Sequence, residues 1–442
     1  MAIPSMIFTR RWLILFSLGA IPLLFSGVSS LFLWIALIWS FGLIFAVFND
    51  RLKITPIRHL EIRREMELQF SPESEQVVKL EVINNSSGSI RLALQDSPPD
   101  TFVNDISEPF LFEVPAASSQ SGQYHVTAKS RGDYTFGDIF IKIKGPMGLV
   151  EKIFTISASQ MVKVYPGIEE AAKFKQMIRR GRLQMLGLRS ARIQGVGGEF
   201  ESLRDYLPDD EMRRIDWKAS AHRGKLVSRQ YEAERAQHLF LLIDAGRTML
   251  AEVEGRQKLD YAINAALLLG YVAALSDDRV GLLVFSDSVE TYIPPMRGQR
   301  QVYTMMEALH NLNAKPVEAD YRKAFGYFKS RWKRRALVVC FTDIWDTASS
   351  RRMMDELVAL QPKHLAAAVT LLDTKLQNQA AMMPLEPKDV YTKATADQVM
   401  TGRKQAINLL AQRGALVIDS PAEQLSAALV NRYLEVKERM ML

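Results

Sequence analysis

The stretch HLFLLI at His238–Ile243, followed at once by Asp244, is an unbroken apolar run ended by an acid. A run that short, without polar alternation, reads as a strand covered on both faces. The pattern repeats downstream in VGLLVF at 280–285, ALVVCF at 336–341, a run at 365–372 and another at 415–418. Helical stretches fall between them at 258–275, 301–312, 321–331 and 397–412, and a closing helix follows. Strands alternating with helices predict a parallel sheet with helices on both faces, so residues 237–442 are expected to form a doubly wound α/β domain. In such sheets ligands bind at the carboxyl ends of strands. That rule singles out Asp244 and Asp343.

Asp244, Gly246 and Thr248 give the spacing D-x-[small]-x-[S/T] directly after a strand. A carboxylate and a hydroxyl on one turn can both face a hard divalent cation such as Mg2+. Asp343, with Asp346 three residues on, and Asp320 could complete an oxygen-rich shell. The competing reading is that these acids cap helices, as Asp and Thr do routinely. Other chemistries find less purchase. Gly195–Gly198 (GVGG) lacks the Lys-Ser/Thr of a phosphate loop. The six histidines, His59, His125, His222, His238, His310 and His364, have no metal-ligand spacing, and Ser220 and Ser286 lack nucleophile-elbow glycines. No catalytic residue is assigned.

Working back towards the N-terminus, residues 166–236 form a connector with no simple element assigned. Lys173–Arg192 holds seven basic residues and no acid. Residues 55–165 switch to short alternating runs such as VVKLEVI at 77–83, IRLAL at 90–94 and IFIKI at 139–143, separated by turn signals. Such spacing predicts a small β-sandwich. The net charge is +7, yet no nucleic-acid recognition motif accompanies it, so the basic balance is read as a membrane-surface feature. The one cysteine, Cys340, lies in an apolar run, which excludes internal disulfides and suits a reducing compartment.

Between Trp12 and Phe48 there is no charged side chain. Residues 12–28 and 31–48 each approach the ~17–25 residues that span the hydrocarbon layer, and a break too short for anything but an antiparallel pair separates them. A cleaved signal peptide over the first run is the alternative, which the second run argues against. Arg10 and Arg11 precede the pair; Arg51, Lys53, Arg58, Arg63 and Arg64 follow it. The positive-inside bias then puts both termini in the cytoplasm, with residues 1–11 as a cytoplasmic N-terminus and 12–50 as two transmembrane helices. The pair has almost no polar residue inside, and is expected to be a tether and little else.

One stretch looks like something known. Residues 198–235 read GEFESLRDYLPDDEMRRIDWKASAHRGKLVSRQYEAER. This resembles the signature of the bacterial family called domain of unknown function 58, although Asp209 stands where that signature usually has glycine. The resemblance implies a von Willebrand factor A-like domain downstream, two N-terminal spans in the inner membrane, and association with MoxR-type AAA+ ATPases. It also implies a metal-ion-dependent adhesion site, onto which Asp244, Thr248 and Asp343 map. Gly246 replaces that site's first serine, and Ala319 stands where its threonine is expected. Within the signature, Arg204, Tyr206, Asp216, Trp217 and Arg229 are candidates for either a partner surface or an internal salt-bridge lattice. Three functions follow: an adaptor docking a cytosolic partner, a metal-dependent hydrolase at the sheet edge, or a membrane scaffold with a vestigial metal site.

Overall fold

A computed structural model of the chain describes residues 5–25, 27, 29–54, 56–167, 200–206, 215, 217–231 and 237–439. Two compact units divide it, Met1–Tyr165 and Pro166–Leu442.

The second unit is built on a six-stranded sheet. In chain order its elements are β1 (His238–Asp244), α1 (Lys258–Leu275), β2 (Arg279–Phe285), β3 (Val289–Met296), α2 (Gln299–Leu309), α3 (Tyr321–Arg331), β4 (Leu337–Phe341), α4 (Arg351–Val358), β5 (Leu365–Leu372), α5 (Thr374–Ala381), α6 (Pro387–Gln412), β6 (Leu416–Pro421) and α7 (Leu425–Glu438). The strand order is β3-β2-β1-β4-β5-β6. β1 lies parallel to both β2 and β4 at the centre, and β5 and β6 continue in the same sense. The expectation of a wholly parallel sheet is corrected at one edge, where β3 runs antiparallel to β2. Pro294 and Pro295 sit in β3, and proline, which cannot donate to the ladder, is tolerated on an edge strand.

The unbroken apolar runs have a direct cause. Leu239, Leu241 and Ile243 pack on one face with α1, α2 and α7, whereas Phe240 and Leu242 pack on the other with α3, α4 and α6. Both faces are dry, so neither set of alternating positions can be polar. The continuous strands deliver Asp244 and Thr342-Asp343 side by side at one end of the sheet.

Two histidines in this unit make its stability pH-dependent. His238 packs at a tilt against Trp332, 4.9 Å between ring centroids, and burial, with Arg279 and Arg334 nearby, lowers its pKa. His364 is buried against Phe328, and burial, with Lys363 and Lys329, lowers its pKa too. The unfolded chain therefore binds more protons than the folded one from about pH 6.5 downward. Their contribution is intact above that value and is lost as the pH falls towards the lowered folded values. Hydrogen exchange of the β1 and β5 amides should show weaker protection at pH 5.5 than at 7.5; equal protection would show that neither imidazole is held neutral.

The first unit is rich in sheet. Ser5–Phe8, Val150–Ile156, Ile139–Lys144, Ile90–Gln95 and Phe110–Val114 form one sheet in that spatial order, and Leu60–Glu65, Glu75–Asn84, Ser118–Ala128 and Phe102–Asn104 form another. Val78, Leu80 and Val82 from the second share a core with Leu92, Leu94, Ile141 and Ile143 from the first. Alternation in VVKLEVI is the imprint of that one-sided burial.

Two apolar helices, Arg10–Leu24 and Ser30–Leu52, interrupt this unit between its first and second strands. The first has 15 residues, shorter than the expected 12–28 run. The apolar segment that includes the second has a mean hydropathy of 2.5 and only 11% of its most apolar window buried, and is long and apolar enough to cross a membrane. Helix α1 meets the same length and composition test but is 72% buried, as the core helix of its unit.

Residues 1–11, expected as a cytoplasmic N-terminus, contribute the strand Ser5–Phe8, paired antiparallel with Val150–Ile153. Nor is the helix pair joined to the sheets by its covalent ends alone. Asp50, fully buried, accepts from the backbone N–H groups of Met147, Leu149 and Val150 at 2.7, 2.8 and 3.1 Å. Thr9, at the other end of the pair, donates its hydroxyl to Gly148 O at 2.6 Å and its N–H to Leu149 O at 3.1 Å. One turn of the β-rich unit is thus gripped from both ends of the hairpin. Glycine at 145 is required for it, since a Cβ there would lie 2.5 Å from the Asp50 carboxylate.

Candidate functional site

Asp244 ends β1 with no solvent exposure. Its Oδ1 accepts from Gly246 N at 2.7 Å, and its Oδ2 accepts from Tyr321 Oη at 2.7 Å and Thr342 Oγ1 at 2.8 Å. Tyr321 opens α3 and Thr342 follows β4, so three elements converge on one carboxylate. Burial raises the Asp244 pKa, while the donors Tyr321, Gly246 and Thr342 oppose the rise. The Tyr321 phenol is pushed well above its ordinary value by burial and by Asp244. Tyr321 therefore remains a donor throughout the physiological range.

Asp343 lies beside it and is held differently. Lys258, the first residue of α1, places Nζ 2.6 Å from Asp343 Oδ2. Arg403, midway along α6, places Nη1 3.1 Å from Oδ1, which also accepts from Thr370 Oγ1 at 3.2 Å. The same guanidinium donates to Ile344 O and Leu371 O, each at 2.6 Å, and pairs with Asp419 at 2.7 Å. The side chains of Lys258, Asp343 and Arg403 are 5%, 1% and 7% exposed. Asp343 and Asp419 with Lys258 and Arg403 thus form a network of two carboxylates and two cations, buried around Asp343.

The sequence-predicted metal residues divide accordingly. Asp244 and Asp343 are brought together. Thr248 lies half-buried in the short helix Arg247–Leu250 after β1. Asp320 is the N-cap of α3, accepting from Lys323 N at 3.0 Å and pairing with Lys323 Nζ at 3.0 Å, contacts that lower its pKa. Asp346 accepts from Ala348 N and Ser349 N at 2.7 and 2.8 Å, which lowers its pKa likewise. Asp320 is thus a helix cap, and Asp346 closes the turn ahead of α4.

The network is a poor fit for a divalent cation. Mg2+ and Ca2+ need six or more oxygen ligands, but each Asp343 oxygen already faces a cationic nitrogen. A serine at 246 would put its Cβ 3.0 Å from both Asp244 Oδ1 and Val317 O, tighter than ordinary contact. Among the described residues no group of three or more His, Cys, Asp or Glu side chains could hold a metal.

Sequence reasoning missed Lys258, Arg403, Tyr321, Thr370 and Asp419. Lys258 and Asp343 are 85 residues apart, and no local pattern links them. Catalytic alternatives gain nothing here: Ser286 donates to Asp287, and the fully buried Cys340 thiol is pushed well above its ordinary pKa by burial.

Exposed apolar side chains lie at this end of the sheet and beyond it. Trp345, one residue beyond Ile344, is 43% exposed, and Lys258 Nζ lies 5.5 Å from its ring centre. Tyr391, near the start of α6, is 77% exposed, and the segment linking α5 to α6 presents Met383 at 83% and Leu385 at 89% exposure. It belongs to the same end, because α5 begins directly after β5 and Thr374 Oγ1 donates to Glu254 Oε1 at 3.4 Å.

Of the signature residues, Phe200–Asp205 pairs antiparallel with Val227–Tyr231, with Leu203 opposite Arg229 and Arg204 opposite Ser228. Tyr206 donates its N–H to Leu226 O at 2.9 Å, and Trp217, 68% exposed, opens the helix Trp217–Arg223. Asp216, the basic segment 173–192, and the side chains of Arg204 and Arg229 lie outside the described residues.

Comparison with known proteins agrees with the signature. An uncharacterized protein of Mycobacterium tuberculosis is 25% identical over 185 residues, 41% of this chain and 57% of that protein. The uncharacterized protein YeaD of Bacillus subtilis is 28% identical over 126 residues, 28% of this chain and 31% of its own length. The chain thus spans little more than half of the first relative and about a third of the second. Among solved structures, PapD-like domain 7 of human CEP192 covers 24% of this chain and 84% of its own, at 14% identity and a TM-score of 0.18. At that score the likeness carries no argument. Residues 202–405, from the β-hairpin of the signature into α6, match the family described as protein of unknown function DUF58.

Proposed function

We propose that the chain is a two-span inner-membrane protein with both termini cytoplasmic, whose von Willebrand A-like unit docks a cytosolic protein. The partner class implied by the family resemblance is a MoxR-type AAA+ ATPase. One observation carries the reading: the carboxyl end of the sheet, where this architecture binds ligands, is closed inside by ion pairs, with exposed apolar side chains at it and beyond it. A buried, ion-paired interior presents no exposed nucleophile or base, whereas Trp345, Met383 and Tyr391 are residue types enriched at protein interfaces. The six-stranded doubly wound order and the DUF58 match support the A-like assignment, and the exposed apolar hairpin supports the anchor. A metal-dependent hydrolase would need an open cation site and a base, and Lys258 and Arg403 stand against the first. With docking there, a Leu385→Asp, Tyr391→Asp double variant, purified from solubilised membranes under nucleotide-trapped conditions, loses at least tenfold of the co-purifying ATPase. Unchanged recovery would move the interface elsewhere, and absence of any ATPase from the wild-type preparation would favour the scaffold reading.

A further inference from the structure

We propose that Lys258 and Arg403 are a permanent internal cation at the carboxyl end of the sheet, so that this edge takes no divalent metal.

Three observations converge. Lys258 Nζ at 2.6 Å and Arg403 Nη1 at 3.1 Å engage the two different oxygens of Asp343, so a metal would have to share either oxygen with a cation. The two cations come from separate elements, the first residue of α1 and the middle of α6, and each is fixed by further contacts. Lys258 lies against the Trp345 ring, and Arg403 is held by Asp419, Thr370 and two backbone carbonyls. Finally, the hydroxyls that would extend an oxygen shell are absent at both positions where the resemblance expects them, Gly246 and Ala319. A metal entering here would have to expel a buried ammonium and leave it without a counter-charge, which is strongly unfavourable. A metal-dependent adhesion site lets a partner's carboxylate complete the cation's shell. On the docking reading proposed above, recognition here would instead run through the apolar rim.

The test needs no partner, so its failure and a failure of the docking reading are separate results. Purified full-length chain in detergent is titrated with Mn2+, free Mn2+ being counted by electron paramagnetic resonance. Free Mn2+ should track total Mn2+ through the millimolar range, and wild-type melting should be the same with Mg2+ or with EDTA. One Mn2+ bound per chain, abolished in Asp343→Asn, would overturn the proposal. As a second arm, Lys258→Met in EDTA should melt several degrees below wild type, because it removes a partner of Asp343. Melting at the wild-type temperature would show that Lys258 does not hold the cluster, and would overturn the proposal equally.

Discussion

Asp343→Asn should destabilise the α/β unit by about 3–5 kcal/mol, the usual penalty for removing one partner of a buried ion pair. For a unit of this size that lowers its melting temperature by on the order of 10 °C. Lys258 would lose its ion pair, while Arg403 would keep Asp419 as a carboxylate partner. The sign makes the substitution informative. In an open acidic metal site two neighbouring carboxylates repel, so neutralising one stabilises the metal-free protein. Here the carboxylate is outnumbered by its cations, and neutralising it destabilises. Thermal unfolding of both proteins in EDTA decides the matter, and a variant that melts at or above wild type would mean that Asp343 is not held by its two cations.

The second large effect is at the base of the hairpin. Asp50→Ala strips the acceptor from three buried backbone donors, those of Met147, Leu149 and Val150. A hydrogen bond to a charged group contributes roughly 1.5–3 kcal/mol. Two of the three lost outright would total about 3 kcal/mol or more, which is about a hundredfold in a local opening equilibrium. Hydrogen exchange of those three amides, in the full chain in detergent or nanodiscs, should accelerate by about that factor. Gly145→Ala should act in the same direction by pushing a Cβ into the carboxylate. Rates equal to wild type would show the turn to be held without Asp50, and the hairpin would again be only a tether.

The central sheet was legible because its chemistry is local. β1, β2, β4 and β5 are buried on both faces, and nothing but unbroken runs of aliphatic and aromatic residues satisfies that. β3 escaped notice because an edge strand is half-solvated, and Pro294-Pro295 reads as a break when taken alone. Ser5–Phe8 lies in the segment expected to be only a cytoplasmic N-terminus: four residues ahead of a hydrophobic span carry no period of their own. Asp50 read as the boundary of a span, since a charge at a membrane end needs no further explanation. Its partners lie about a hundred residues downstream. The same distance problem hid the cations of the candidate site. Asp244 and Asp343 stand at strand ends and can be found by topology, but Lys258 opens a helix and Arg403 sits inside one, where basic residues are unremarked. The acids of a metal site and the acids of an ion-paired cluster look alike until their neighbours are placed.

We propose that a protein partner docks at the ion-paired end of the sheet and the exposed apolar rim beyond it. A photo-crosslinking residue at Leu385, in that rim, is compared in native membranes with one at Lys363, an exposed position at the opposite end of β5. The account predicts an ATPase adduct from position 385 and none from 363. An adduct from 363 alone, or equal yields from both, would contradict it.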